Sequence, residues 1–310
     1  MKQAPIAWET GVQYGMGWLP DHPDFRDYTW ETETVRATPG QAREGESVKS
    51  MLTKTGVTAP TTALPPTTDL RPWCSPVENQ QNLGSCTANA AVGVVEYYER
   101  RAFGRYLDAS RLFLYKTTRD FLHWTGDRGA FLRSTMGALA LFGVPPEEFW
   151  PYAIPSFDKE PPAFCYAFAQ NYQAIRYFRL DPAGTSQATL LQRIKTNLAA
   201  FLPSMFGFTV YNSIGQASAT GKIPFPTSGE RVVGGHAVAA VGYDDNLKIK
   251  NLSPQGLETT GALLIRNSWG ESWGNGGYGW LPYEYVMKGL AQDFWSLLKS
   301  EWIDAGQFRM

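Results

Sequence analysis

Cysteine is scarce in this chain: 310 residues hold three, Cys74, Cys86 and Cys165. That is too few for a disulfide scaffold, and if Cys86 stays a reactive thiol only Cys74 and Cys165 are left to pair, a bridge the sequence leaves open. Charge of one sign is scarce too. Lys and Arg number 28 against 29 Asp and Glu, a formal net charge of −1 without a long basic run. The electrostatic footprint of a nucleic-acid or anionic-membrane binder is missing. No stretch reaches the roughly 18 apolar residues of a membrane span, and the opening MKQAPIAWETGVQYGMGW has no continuous apolar run of the signal-peptide kind. The cytoplasm is the default compartment, with export by another route left open. No repeat of fixed period occurs. With 43% hydrophobic and 18% charged residues, the composition is that of a globular protein with a sizeable core. Polypeptides and small molecules remain as partners, a monomer is expected, and nothing calls for a metal or a cofactor.

What is present divides the chain into three parts. Residues 1–40 carry the turn-rich GMGWLPDHPDFRDYTW, whose prolines and glycines break any period and whose Trp18, Phe25 and Tyr28 can anchor an extended arm, a candidate pro-segment. Residues 41–68 are rich in Thr, Pro, Ala and Gly and read as a flexible linker. From Asp69 the core begins. Ala88, Ala91, Val92, Val95 and Tyr98 follow the three-four spacing of a long, mostly buried helix, and further helical patterns cover about 110–121, 132–141 and 187–200. SMFGFTVY, HAVAAVGYD, GALLIRNSW and YGWLPYEYV are short β-rich runs between glycine-rich turns. The class is α+β, with a mainly helical lobe over about 69–172, a mainly β lobe over about 173–310, and a cleft between them as the default place for a site.

Cys86 stands in the first turn of the predicted long helix, within QQNLGSCTANA. A helix N-terminus offers unpaired N–H groups and a partial positive charge, which favour thiolate over thiol and leave donors for an oxyanion. Far downstream, GGHAVAAVGYDD supplies His236 and LLIRNSWGESWG supplies Asn267. Each has an ordinary reading: a buried cysteine, a hydrogen-bonded core histidine, a turn asparagine. Together, in this order, they are the parts of a thiol nucleophile, its base and the group that orients the base. His22 and His123 read as surface or structural histidines.

DLRPWCSPVENQQNLGSCTANA, GGHAVAAVGYDD and LLIRNSWGESWGNGGYGW resemble the three hallmark segments of the papain family of cysteine peptidases, and the resemblance covers roughly 69–310. The segment GWLPDHPDFRDY is similar to the N-terminal arm of bacterial members. The resemblance implies a papain-like two-lobed fold, with a helical lobe, a β-barrel-like lobe and a catalytic cleft between them. It implies Cys86 as nucleophile, His236 as general acid and base, Asn267 as the residue orienting the imidazole, and Gln80 with the Cys86 N–H as the oxyanion hole. Trp269 matches a tryptophan that shields the His–Asn hydrogen bond. Phe131, Leu132, Gly207, Gly234 and Ala237 match the second substrate pocket, an apolar pocket without charge that should favour bulky aliphatic or aromatic residues.

The sequence also departs from the family. Leu83 and Asp127 stand where a disulfide is usual, Thr87 where an aromatic usually follows the nucleophile, and Gly235 where an Asp usually precedes the histidine. The long helical pro-region is not found. The implied activity is a cysteine endopeptidase working through a thioester on Cys86. Two other classes stay in view: a transglutaminase-like or amidase enzyme using Asp244 or Asp245 in place of Asn267, and a non-catalytic peptide-binding relative. For the arm, autoinhibition stands against simple coverage of an apolar edge.

Overall fold

A computed structural model describes residues 6–7, 13–33, 46–57, 63–170 and 175–309. The first half is helical. After β4 (Thr67–Asp69) come α2 (Cys86–Phe103), α3 (Arg111–Phe121), β5 (Ala130–Phe131), α4 (Leu132–Phe142) and α5 (Ala163–Ala169). The second half is built on a sheet: β6 (Arg176–Arg179), α6 (Gln187–Ala199), β7 (Ser204–Tyr211), β8 (Val232–Lys250), β9 (Glu258–Arg266), β10 (Tyr278–Pro282), α7 (Tyr283–Met287), β11 (Ala291–Leu298) and α8 (Ser300–Asp304). The sheet runs β10-β9-β8-β7-β11-β6, with β4 added to β8, and every pairing in it is antiparallel. The expected α+β class holds. The barrel-like lobe, however, is among the described residues an open sheet with edges at β10 and β6 rather than a closed barrel.

The position of α2 fixes the site. Its buried face is made of small residues, Ala88, Ala91, Val92 and Val95, so the helix can lie close against the sheet. A Cβ on Gly93 would fall 2.3 Å from the Arg266 guanidinium, which makes glycine the residue that admits this approach. The helix ends at Gly104, in the left-handed conformation (φ 71°), whose N–H closes onto Arg100 O. A hydrogen-bonded cluster links this helix to the end of β9: the Ser75 hydroxyl donates to Glu96, and Arg266 donates to Ser75 Oγ (3.0 Å) and Pro76 O (2.6 Å). Burial pushes the Glu96 carboxyl up to about 7.

Upstream of this body, the described chain forms β1 (Ile6–Ala7), β2 (Gln13–Tyr14), β3 (Trp18–Leu19) and α1 (Val48–Thr55). Helix α1 corrects the reading of 41–68 as a flexible linker. Val48, Met51 and Leu52 lie at helical spacing and are buried, Ser47 caps the start through Ser50 N–H, and Gly56 ends it at φ 82°. Burying three such side chains contributes about 1.5–3 kcal/mol each. The surrounding Thr- and Pro-rich composition hid this short pattern; residues 41–45 and 58–62 lie outside the described residues. The arm itself is pinned by charge. Arg133, near the start of α4, donates to Asp27 through Nε (2.8 Å) and Nη2 (2.9 Å) and to His22 O (2.7 Å), and also pairs with Asp21. Arg179 in β6 donates to Asp21 O at 3.0 Å.

Candidate active site

Cys86 is the first residue of α2 and is fully buried. The backbone N–H of Ala237, the residue after His236 in β8, faces its sulfur, so the helix start and the middle of the sheet meet here. His236 Nε2 lies 2.8 Å from Asn267 Oδ1, which also accepts the Ser268 N–H at 2.8 Å. Because that oxygen can only accept, Nε2 carries the hydrogen and Nδ1 is left to take a proton; Nδ1 has no hydrogen-bond partner among the described residues. Trp269 stacks on the imidazole at 4.6 Å and meets Trp273 edge-on at 5.3 Å. It is fully buried and covers one face of the imidazole.

Gln80 is buried beside these groups. Its Nε2 donates to Leu83 O at 2.8 Å, and its Oε1 accepts from the Ser268 hydroxyl. Its backbone is held as well: Gln80 N donates to Ser268 O at 2.8 Å, and the Tyr152 hydroxyl donates to Gln80 O at 3.0 Å while contacting Ser85 Oγ. Asp127 accepts the Gly84 N–H at 3.0 and 3.2 Å and the Tyr115 hydroxyl at 2.6 Å. The loop before Cys86 is therefore stapled to residue 127 by a carboxylate. Cys74, Cys86 and Cys165 are all free thiols, which settles the open pairing.

The arm lies in this cleft. Gly15 O accepts from Gln80 Nε2 at 3.0 Å, Gly15 N donates to Gln81 O at 2.8 Å, and the N–H groups of Gly17 and Trp18 face the Cys86 sulfur. Strand β3 pairs with β5 in parallel, Trp18 opposite Ala130 and Leu19 opposite Phe131. Tyr14 stacks on Trp269 at 4.9 Å. The fit leaves no room for side chains. A Cβ on Gly15 would sit 2.1 Å from Leu83 O, one on Gly17 1.9 Å from Gly84 O, and one on Gly207 1.9 Å from the Trp18 ring. Covered in this way, both side chains favour their neutral forms. Burial pushes the Cys86 thiol up to about 11, against the lowering effect of the surrounding N–H groups, and burial lowers His236 to about 4 despite its bond to Asn267.

A sequence profile described as papain family cysteine protease matches residues 64–295. The chain belongs to the papain family of cysteine proteases. The protease is 34% identical over 223 residues to an uncharacterised peptidase C1-like protein of Acanthamoeba polyphaga mimivirus, covering 70% of this chain and 68% of that protein. It is 24% identical over 211 residues to chymopapain of Carica papaya, and the match spans 50% of that protein's length. Among solved structures it is similar to xylellain, a cysteine protease from Xylella fastidiosa, at 34% identity and a TM-score of 0.69, covering 92% of this chain and 96% of that one. It is accordingly a hydrolase of a family that acts on polypeptides.

The residues matched to the second substrate pocket are distributed as follows in the protease. Phe131 pairs with the arm in β5, Leu132 is the buried first residue of α4, Gly207 lies under the Trp18 indole, and Ala237 offers its N–H to Cys86. Gly234 stands in β8 opposite Val210, and the glycine that meets the arm is its neighbour: a Cβ on Gly235 would lie 2.7 Å from Trp18 O. That contact gives a physical reason for glycine where the family usually has Asp. The expectation of a pocket without charge needs correcting, because Trp18 Nε1 donates to the buried carboxylate of Asp293 at 3.1 Å. Sequence reasoning missed Asp293, Ser268 and Tyr152. A lone Asp inside the apolar run of β11 was the only available signal for the first, and the other two had none.

Proposed function

We propose that this chain is a cysteine endopeptidase whose own N-terminal arm holds it inactive. Cys86 is the nucleophile, His236 the general base and acid, Asn267 the group that orients the imidazole, and Gln80 with the Cys86 N–H the oxyanion donors. The Cys86 sulfur attacks the scissile carbonyl carbon as its proton passes to His236 Nδ1; the tetrahedral oxyanion is held by donors worth about 3 kcal/mol each. Collapse breaks the C–N bond, the imidazolium gives its proton to the leaving amine, and a thioester remains on Cys86. Water, deprotonated by His236, then releases the acid. The observation that supports the reading is that Cys86, at the start of α2, faces the N–H of Ala237, the residue after His236, whose Nε2 lies 2.8 Å from Asn267 Oδ1.

The acyl-transfer alternative finds less support, since Asp245 pairs with Lys195 (2.7 Å) and Tyr283 (2.7 Å) and Asp244 accepts the Asn246 N–H. Autoinhibition is supported by the Gly15 carbonyl on Gln80 Nε2, by the arm's N–H groups at Cys86, and by Trp18 over Gly207. Phe131, Leu132, Gly207, Gly234 and Ala237 would line the pocket that Trp18 fills. The test is stoichiometric labelling of Cys86 by an epoxysuccinyl peptide, with turnover of a peptide amide, in the full chain and in a chain lacking residues 1–40. Labelling with faster turnover in the shortened, folded chain is expected. Unchanged turnover would leave the arm as a cover for an apolar edge, and no labelling in either chain would remove the nucleophile assignment.

A further inference from the structure

The pocket that holds Trp18 ends in a carboxylate whose two oxygens have different tasks. Asp293 Oδ1 accepts from Trp295 Nε1 at 2.7 Å and lies 3.2 Å from the Arg179 guanidinium, so it is held from behind. Oδ2 takes the Trp18 indole N–H at 3.1 Å. Asp293 is fully buried and adopts φ 65°, a conformation rare for a residue with a side chain, where the pairing of β11 with β7 breaks register between Gln292 and Trp295. Asp181 locks this irregularity by accepting the N–H groups of Asp293 (2.7 Å) and Phe294 (3.0 Å). A strained, braced residue that turns one carboxylate oxygen onto an indole is a built acceptor.

We propose that Asp293 makes this pocket selective for a neutral side chain that carries an N–H donor, tryptophan above the other natural residues, next to the scissile residue of the substrate. This rests on the reading of the cleft given above. A site built to bond an N–H rejects an analogue without one, because the buried acceptor is then left unpaired. The shape agrees: Gly207 is flat under the indole, with the position of a Cβ only 1.9 and 2.1 Å from Trp18 Cε2 and Cδ2. Arginine fits the same acceptor poorly. The Asp293 carboxylate already faces the Arg179 guanidinium at 3.2 Å, so a second cation would approach a charge that is already paired.

The test uses the full chain, in which the arm is the pocket's ligand. The rate of Cys86 alkylation by iodoacetamide is measured at pH 7.5 for wild type, Trp18→Phe, Asp293→Asn and the double variant. Trp18→Phe keeps an aromatic ring and loses the N–H; it should react about tenfold faster, and the same change in the Asp293→Asn background, which carries the same loss of ring area, should alter the rate less than twofold. A Trp18→Phe rate equal to wild type, or an equal effect in both backgrounds, overturns the proposal. If wild-type Cys86 reacts as fast as a free cysteine, the arm does not close the cleft, and the open pocket is then read directly. Peptide amides with Trp, its sulfur isostere 3-benzothienylalanine, Phe or Arg beside the scissile residue should favour Trp over the isostere about tenfold in kcat/KM. Equal values, or Arg the best, overturn it.

Discussion

Gly17→Ala should open the cleft, and the structure sets the size of the effect. Gly17 lies outside the left-handed region, so alanine is conformationally allowed and the cost is steric. The new Cβ would stand 1.9 Å from Gly84 O, 2.5 Å from Gly84 C and 2.8 Å from Gly84 Cα. These are backbone atoms that cannot rotate away. Restoring ordinary contact near 3.5 Å demands a shift of about 1.5 Å. A shift of that size breaks the bonds from Gln80 Nε2 to Gly15 O, now 3.0 Å, and from Ala130 N to Gly17 O, now 2.8 Å. Overpacking of about 1–3 kcal/mol and hydrogen bonds of about 1 kcal/mol each, partly replaced by water, give roughly 2–4 kcal/mol in favour of the open arm. The open population then rises roughly 30- to 1,000-fold, at 1.36 kcal/mol per decade. Alkylation of Cys86 by iodoacetamide follows that population when closing is fast, and mass spectrometry reads it with buried Cys74 and Cys165 as controls in the same chain. A Gly17→Ala rate within twofold of wild type, with an unchanged melting temperature, would refute the placement of the arm.

Two further outcomes concern the chemistry. In a chain freed of its arm, Cys86→Ala should abolish peptide-amide turnover, His236→Ala should come close to that, and Asn267→Ala should keep a partial rate because orientation rather than proton transfer is lost; a tenth of the activity surviving in Cys86→Ala would end the nucleophile assignment. The pH profile of alkylation should change with the arm. With the thiol pushed up to about 11, the thiolate is about one part in ten thousand at pH 7 in the closed chain, so the rate should climb about tenfold per pH unit toward 11; uncovering the thiol removes the burial that raised it, and the profile should level off at lower pH. A plateau near pH 7 in the closed wild type would contradict this.

The elements that sequence could read are those whose cause is local. The start of α2 at Cys86 follows from a run of small and apolar residues at helical spacing, and α3, α4 and α6 begin and end within a residue or so of their patterns. The segments around Cys86, His236 and Asn267 were legible as those of the family because each carries several unusual residues together. What stayed hidden depends on contacts across the chain. Nothing near Trp18 says that its indole will lie on Gly207 and bond Asp293, 275 positions away. Nor does Gly235 announce that it is small because the arm's backbone passes over it. The residues matched to the pocket are apolar, while Asp293 comes from a strand whose register breaks to turn it inward. Helix α1 was missed for the opposite reason: eight periodic residues were averaged into a Thr- and Pro-rich neighbourhood.

Gly15, Gly17 and Trp18 belong to the same chain as the cleft they fill, so a block of the kind proposed above would respond to concentration in a particular way. A tethered ligand acts at a fixed effective concentration, on the order of millimolar for a short connection, whatever the dilution of the protein. Under the proposed autoinhibition, substrate would have to outcompete that local concentration, and no amount of dilution would relieve it. One backbone cut between the arm and the body turns the same contacts into a bimolecular complex, whose occupancy falls as the fragments dilute. The contacts at Gln80, Cys86 and Gly207 would then hold the arm closed while the chain is whole, and after a cut their occupancy would depend on how far the fragments are diluted.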